Sequence, residues 1–259
     1  MKERTTICID VGNTETHLGL FADGELESAW ALTTPAHATA DELFMQICNL
    51  GLASITDEAD AIMACVVPEL SGAWETALSQ LSCVKRPYVV GPGLKNGLLV
   101  KTNDPTEVGA DRIADCVAAK EIYGAPVIVV DLGTTTNINV IDDSGALQGS
   151  IIAPGMRTSA TAAFSAAAQL HAVTIAVPGN VIGKTTRESM QSGIILGEAC
   201  RIRGLISLVE EELGYPCQIL LTGSDAPVLK PLMERECAID ENLTLRGLHL
   251  ICQKNAKRH

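Results

Sequence analysis

Two stretches of this sequence run through apolar residues to an aspartate. Each then places a glycine two positions on, followed by small hydroxyl or amide residues. They are Ile7-Cys8-Ile9-Asp10-Val11-Gly12-Asn13-Thr14 and Ile128-Val129-Val130-Asp131-Leu132-Gly133-Thr134-Thr135. A carboxylate at the carboxyl end of a strand lies where ligands of α/β sheets collect. It suits a hard cation such as Mg²⁺, usually through water. The glycine permits a tight turn with backbone close to a ligand, and the following N–H and O–H groups can face phosphate oxygens. One such turn alone is as readily a plain hairpin closure. Two copies 121 positions apart, with Gly24 and Gly145 and then Leu26 and Leu147 keeping the same spacing, argue for a duplicated phosphate-binding unit. A third stretch, Glu107-Val108-Gly109-Ala110-Asp111-Arg112, offers a carboxylate that can accept a proton beside a planar cationic fork that can pair with an anion. By itself, Asp111-Arg112 also reads as an ordinary helix-start acid beside a surface arginine.

The elements that must hold these residues follow from pattern. Each copy reads as strand, glycine turn, strand, a second turn (Ala22-Asp23-Gly24 and Asp143-Ser144-Gly145) and a third strand, near Glu27–Leu32 in the first copy. Thr39-Ala40-Asp41 offers N-cap choices for a helix. Asp60–Val67 and Val84–Val90 read as strands. A helix runs from near Glu107–Ala110 to Tyr123, with Ile113, Val117 and Ile122 on one face, and stops at Gly124. Arg157–Leu170 reads as an alanine-rich helix, Thr186–Leu213 as a long one, continuous or broken, closed by Gly214, Gln218–Leu221 as a strand and Leu243–Gln253 as the last helix. The spacing predicts two lobes, 1–120 and 121–259. Gly193-x-x-x-Gly197 either lets helices pack closely or presents a surface to nucleotide. Lys184 reads as a solvated loop lysine, and His37, His171, His249 and His259 share no metal-ligand spacing.

Composition narrows the function classes. Of 259 residues 47% are hydrophobic and 19% charged, which suits a buried globular core, and acids interrupt every apolar run before it reaches membrane length. The net charge of −12 disfavours non-specific nucleic-acid binding, which needs cationic surface. Nine cysteines without a CxxC predict buried reduced thiols rather than zinc or disulfides. With no signal peptide read at Met1–Arg4, the expected location is the cytoplasm.

The paired hairpins resemble the actin-like ATPase superfamily, whose layout sets two such hairpins across a cleft. Ile152-Ala153-Pro154-Gly155, Gly183-Lys184-Thr185-Thr186, Ser192-Gly193 with Gly197, Leu221-Thr222-Gly223 and Leu243-Thr244-Leu245-Arg246-Gly247-Leu248, together with GADR at Gly109–Arg112, are similar in order and spacing to the type III pantothenate kinases. The resemblance covers nearly the whole chain. It implies an α/β fold of duplicated actin-like ATPase (ribonuclease H-like) domains, with mixed sheets flanked by helices. It also implies ATP-dependent phosphorylation of pantothenate to 4′-phosphopantothenate, the first step towards coenzyme A. By that resemblance Asp111 is the catalytic base. Asp10, Val11, Gly12, Asn13, Thr14, Glu15, Thr16, His17 and Thr134 bind ATP, with Asp10 linked to Mg²⁺ through water. Thr102, Gly109, Ala110, Asp111, Arg112 and Thr186 bind pantothenate, and Asp131 holds a monovalent cation, K⁺ or NH₄⁺. The protein is expected to be a homodimer, its pocket completed by the neighbouring subunit, with no nucleic-acid or membrane partner.

Five positions depart from the family pattern. Asn137 and Asn139 stand for a threonine and an aspartate in the second hairpin, Thr102 for an aromatic residue, Asp115 for an asparagine and Ser224 for a glycine. They motivate two competing readings: a catalytically weakened paralogue with an accessory role, and an actin-like kinase for another small hydroxy acid.

Overall fold

The computed structural model describes residues 5–166 and 174–256. Among them the chain forms two compact units. One comprises residues 5–98, 103–121 and 242–256, and the other residues 99–102, 122–166 and 174–241.

The first unit is built on β1 (Thr5–Val11), β2 (Glu15–Ala22), β3 (Glu25–Thr33), β4 (Ala59–Cys65) and β5 (Tyr88–Val89), in the order β3-β2-β1-β4-β5. β1 pairs antiparallel with β2 and parallel with β4. The second sheet repeats this order. β7 (Val127–Leu132), β8 (Thr135–Ile141), β9 (Ala146–Pro154), β10 (Gln218–Thr222) and β11 (Ala238–Ile239) run β9-β8-β7-β10-β11, and β6 (Leu99–Val100) adds a parallel edge beside β9. The expected duplication of mixed sheets is therefore present strand for strand.

The two copies are not in constant register. Val11 pairs with Thr16 across the first hairpin, whereas Leu132 pairs with Thr136, so the second turn is one residue shorter. Thr16 thus corresponds to Thr136, 120 positions on. The next turn restores the residue: Asp23 and Gly24 (φ 48° and 86°) form a two-residue loop, whereas the second copy closes over Asp143, Ser144 and Gly145 with an Asp142 N–H to Ala146 O bond of 3.0 Å. Both copies carry a bulge at the matching place, Leu20/Phe21 and Val140/Ile141.

Helices flank each sheet. α1 (Ala40–Asn49) starts at a capping box in which Glu42 N–H donates to Thr39 Oγ1 and Thr39 N–H to Glu42 Oε2. α2 (Pro68–Ser79) was not among the expected elements, although its buried Leu70, Trp74, Ala77 and Leu78 recur at helical spacing; it opens with Pro68. α3 (Ala110–Ala118) continues through a π turn over Ala119–Tyr123. At 3.6 residues per turn Ile122, nine positions after Ile113, falls about half a turn away from it, and it is exposed rather than on the buried face of Ile113 and Val117. In the second unit α4 (Met156–Ala166) leads on, residues 167–170 of the expected helix lying outside the described residues. α5 (Thr186–Gln191), a π turn over Ser192–Leu196 and α6 (Gly197–Leu213) form one continuous helical run, closed by Gly214 at φ 82°, with α7 (Ala226–Leu229) after β10. α8 (Leu243–Asn255) packs on α3, β1, β2 and β4, so the C-terminal helix belongs to the first unit and not to a lobe cut at 120/121.

Val84–Val90 is a strand only at Tyr88–Val89, with one further bridge at Val84. Pro87 between them has no N–H for a ladder. The core of the first unit is Ile7, Ile9, Leu18, Met63, Trp74 and neighbours, and that of the second is Ile128, Val130, Ile195, Ile202 and Leu221. Burial of each large side chain contributes about 1.5–3 kcal/mol. Six cysteines are buried as expected, but Cys48 and Cys200 are exposed and Cys65 is half-buried; all nine are free.

Candidate active site

The first unit carries two of the predicted groups. Asp10 sits near the end of β1, two residues before the glycine, opposite His17 on β2 and Ala64 on β4. Val66 N–H donates to Val11 O at 3.0 Å and Gly12 N–H to Glu15 O at 3.0 Å, which fixes the turn from both sides. A Cβ on Gly12 would lie 2.8 Å from that Glu15 carbonyl, so the close approach requires glycine. Asn13, Thr14 and Glu15 face solvent, and Thr14 O accepts from Thr34 N–H at 2.9 Å. Thr16 is buried, its hydroxyl 2.8 Å from that of Thr34, while Asp10 and His17 are half-buried. His17 Nε2 lies 3.6 Å from Glu15 Oε2.

The second group in this unit is the start of α3. Asp104 caps a short turn at Pro105–Glu107, accepting from Thr106 N–H at 2.9 Å and Thr106 Oγ1 at 2.6 Å, and these bonds hold its carboxyl below the usual carboxylate range. Gly109 is the N-cap of α3, and Asp111 lies in the first turn, where the helix dipole favours an anion. Asp111 Oδ1 accepts from Arg112 N–H at 2.8 Å, and Arg112 Nη2 donates to Glu107 O at 3.2 Å. The space that a Cβ on Gly109 would fill is taken by Asp111 Oδ1. Glycine at 109 is therefore what lets this carboxylate adopt its position.

Behind this turn Asp115 is buried and accepts from Thr244 Oγ1 of α8 at 2.7 Å. Gly247 of α8 sits against Ala114 so closely that a Cβ would lie 2.9 Å from Ala114 Cα and collide with its carbonyl. The two helices thus meet backbone to backbone one turn beyond Asp111. Sequence reasoning missed this use of Asp115, Thr244 and Gly247, although both motifs were in view.

In the second unit Asp131 lies at the end of β7, and Asn137 Nδ2 donates to its Oδ2 at 3.3 Å and to Thr135 Oγ1 at 3.1 Å. Thr134 is exposed at the turn; its carbonyl accepts from Gly155 N–H at 3.1 Å and Thr158 Oγ1 at 2.6 Å. Gly155 and Gly223 press on the backbone of this turn. A Cβ on Gly155 would lie 2.9 Å from Thr134 O, and one on Gly223 (φ 87°) 2.6 Å from Leu132 O. Asp225 N–H donates to Leu132 O at 3.3 Å, and the buried Asp225 carboxylate takes two bonds from Arg157, at 3.1 and 2.8 Å. Ser224 is not pressed into that contact. Asn139 is fully buried with Oδ1 accepting from Ser150 at 2.6 Å.

Thr102 lies two residues beyond β6, its hydroxyl buried without a hydrogen-bond partner among the described residues. Thr186 is the exposed first residue of α5, whereas the cap is Thr185, which accepts from Glu188 N–H. Gly193 and Gly197 are exposed, and a Cβ at either meets nothing within 4 Å, so close packing among the described residues does not require them. The structure thus brings the first glycine turn and the GADR turn into one unit, and Asp131, Thr134, Thr102 and Thr186 into the other.

No group of three or more His, Cys, Asp or Glu that could hold a metal occurs among the described residues. One carboxylate beside a backbone turn fits Mg²⁺ that keeps most of its water and takes phosphate oxygens, not a dedicated protein cage. Asp131 offers a hard carboxylate oxygen beside Asn137, a donor type that suits a weakly held cation. No described helix is long and apolar enough to cross a membrane.

The model of the family described as type III pantothenate kinase matches residues 6–208. A type III pantothenate kinase of Listeria monocytogenes is 40% identical over 256 residues, covering 96% of this chain and 97% of that one. Among solved structures, component A of (R)-2-hydroxyglutaryl-CoA dehydratase from Acidaminococcus fermentans is similar in fold at TM-score 0.56 and 13% identity, covering 97% of both chains. A ROK hexokinase from Thermus thermophilus gives TM-score 0.50 at 15% identity, covering 98% of this chain and all of that one.

Proposed function

The chain belongs to the type III pantothenate kinase family, and we infer that it transfers the γ-phosphoryl group of ATP to the primary hydroxyl of pantothenate, giving ADP and 4′-phosphopantothenate. The observation that carries this reading is the 40% identity to a type III pantothenate kinase across 96% of the chain. GADR, on which the reading turns, stands at the start of a helix with its acid and arginine in the first turn.

Each residue then takes a role that its surroundings support. Asp111 accepts the proton of the pantothenate hydroxyl as the new O–P bond forms. Its link to the Arg112 N–H and the empty side of Gly109 hold one carboxylate oxygen still. Arg112, steadied by the Glu107 carbonyl, offers its remaining N–H groups to the pantothenate carboxylate, with Ala110, Thr102 and Thr186 as further contacts. The turns Asp10–His17 and Asp131–Thr134 cradle phosphate with backbone and hydroxyl donors. Asp10 would hold Mg²⁺, which would supply positive charge against the phosphates. Asp131 would hold a monovalent cation, K⁺ or NH₄⁺.

We also place a twofold dimer in this reading, with Thr186 of one protomer completing the pantothenate pocket of its partner. Val181 and Ile182, 73% and 75% exposed, lie just ahead of Thr186. Leu208 on α6 is exposed too, and such apolar surface favours a partner. The free cysteines agree with a cytoplasmic setting.

The test is a coupled assay of ADP release with purified protein, ATP and pantothenate, run beside Asp111→Asn. Turnover that needs pantothenate and falls by about two orders of magnitude or more in the variant supports the reading, that being the usual scale for a lost general base. Release of ADP unaffected by pantothenate would sink it.

A further inference from the structure

Glu198 lies in the first turn of α6 with only 5% of its surface exposed. Its neighbours on the same helical face, Ile195, Ala199, Ile202 and Ile206, belong to the apolar core. An ionisable group there loses solvation worth several kcal/mol and persists only when its oxygens are fully engaged. Both are. Thr136 Oγ1 donates to Oε1 at 2.6 Å, and Arg201 Nη2 donates to Oε2. Arg201 Nη2 also donates to Pro154 O at 2.8 Å.

Those contacts converge on one feature. Thr136 is the residue of β8 that pairs with Leu132, so it is one stem of the second phosphate turn. Pro154 is the last residue of β9, pairs with Thr135, and precedes Gly155, whose N–H donates to the Thr134 carbonyl. The ion pair of α6 thus grips the strand that leaves the turn and the strand that braces it. The π turn over Ser192–Leu196 sits immediately before, and such a turn shifts the phase of the helix beyond it. Glu198 faces the sheet because it shares the helical spacing of Ala199, Ile202 and Ile206.

We infer that Glu198 is a positioning residue for ATP: through Thr136, and with Arg201 through Pro154 and Gly155, it sets the height and tilt of the Gly133-Thr134 turn. The inference rests on the reading of that turn as an ATP contact. Glu198 touches no reacting atom and acts only through the turn. A residue that merely filled core would affect stability and leave the two substrates alike; a positioning residue affects ATP selectively.

The experiment compares Glu198→Leu, Glu198→Gln, Thr136→Val and Thr134→Val, with melting temperature, kcat and KM for each substrate. Glu198→Leu and Thr136→Val are expected to raise KM for ATP by about tenfold to a hundredfold, the scale of one lost charge-assisted hydrogen bond, with KM for pantothenate unchanged. Glu198→Gln is expected to stay within about twofold, because its carbonyl can accept from Arg201 while its amide donates to the Thr136 hydroxyl. KM for ATP unchanged in folded Glu198→Leu and Thr136→Val would overturn the inference, as would an equal rise in both KM values that glutamine fails to rescue. Should Glu198→Leu not fold, Thr136→Val decides alone, since it removes only the hydroxyl. Thr134→Val separates the premises. A raised KM for ATP there with none at 198 and 136 sinks the inference alone, whereas no change at 134 sinks the ATP reading of the turn and the inference with it.

Discussion

Asn137 Nδ2 donates to Asp131 Oδ2 at 3.3 Å, so the carboxylate near the end of β7 already meets an N–H donor from the neighbouring strand. Asp131 and Asn137 are direct cross-strand partners, which makes the contact a property of register rather than of a loose loop. Where the family pattern has a threonine, this chain supplies part of the compensation that a cation would give.

The first prediction comes from that pair. Potassium should raise turnover over sodium, and Asp131→Asn should remove the difference while lowering activity. Asn137→Val, which withdraws the amide, should make the potassium response steeper. Equal rates in potassium and sodium for the wild-type chain would mean that Asn137 has replaced the cation altogether.

A second prediction concerns Gly109. Its backbone, φ −54° and ψ 145°, is open to alanine, so substitution brings no conformational strain. The new methyl would instead displace the Asp111 carboxylate, the end of a flexible side chain that yields cheaply. Gly109→Ala should therefore leave the melting temperature nearly unchanged, yet lower kcat by about tenfold to a hundredfold, as a misplaced general base does. Unaltered kcat would show that the position of Asp111 set by residue 109 does not matter to turnover.

What the sequence disclosed and what it hid divide along physical lines. The hairpins were legible because Asp-x-Gly at the end of an apolar run has few alternatives. The start of α1 at Thr39 and the closing of α6 by Gly214 were legible because caps are local chemistry. The change of offset from 121 to 120 within the repeat was not legible. It lies in the trade of one residue between two turns, which leaves the octapeptides aligned. Asp115, Thr244 and Gly247 were in view without a role, because their meaning is a contact over 129 positions of chain. Glu198 was hidden for the same reason: its partner Thr136 lies 62 positions away in the chain.

A third prediction is a pH dependence of stability from His249. Its ring stacks on Phe21 with centroids 4.4 Å apart, Gln253 Nε2 lies 3.0 Å from its Nε2, and burial lowers its pKa from 6.5 to about 4. Below pH 6.5 the unfolded chain takes up a proton that the folded chain refuses until about pH 4. The contribution of this residue is thus complete above pH 6.5 and is lost progressively as pH falls towards 4. Between about pH 7 and pH 5 the loss should be on the order of 2 kcal/mol. His249→Phe keeps a ring on Phe21 without the titration, so urea unfolding of the variant should show a shallower fall over that range. Parallel slopes for both proteins would rule His249 out as a source.

The last prediction concerns assembly. The helical run from Thr186 to Leu213 turns one face to its own core through Ile195, Ile202 and Ile206 and leaves Leu208, Gly193 and Gly197 outward. An amphipathic helix facing water carries polar residues on its outer side. A second copy with the same surface would cover this one symmetrically. If Thr186 then completes the partner's pocket, a chain with Asp111→Asn and a chain with Thr186→Arg are each inactive for different sites. Mixed and allowed to exchange, they should form heterodimers in which one of the two sites has both residues intact. Activity should then rise from near zero to about a quarter of the wild-type value, since random exchange makes roughly half the dimers mixed and each carries one working site. Sedimentation of tagged and untagged chains establishes the exchange. Full exchange without recovery would mean that each pantothenate pocket is built from a single protomer.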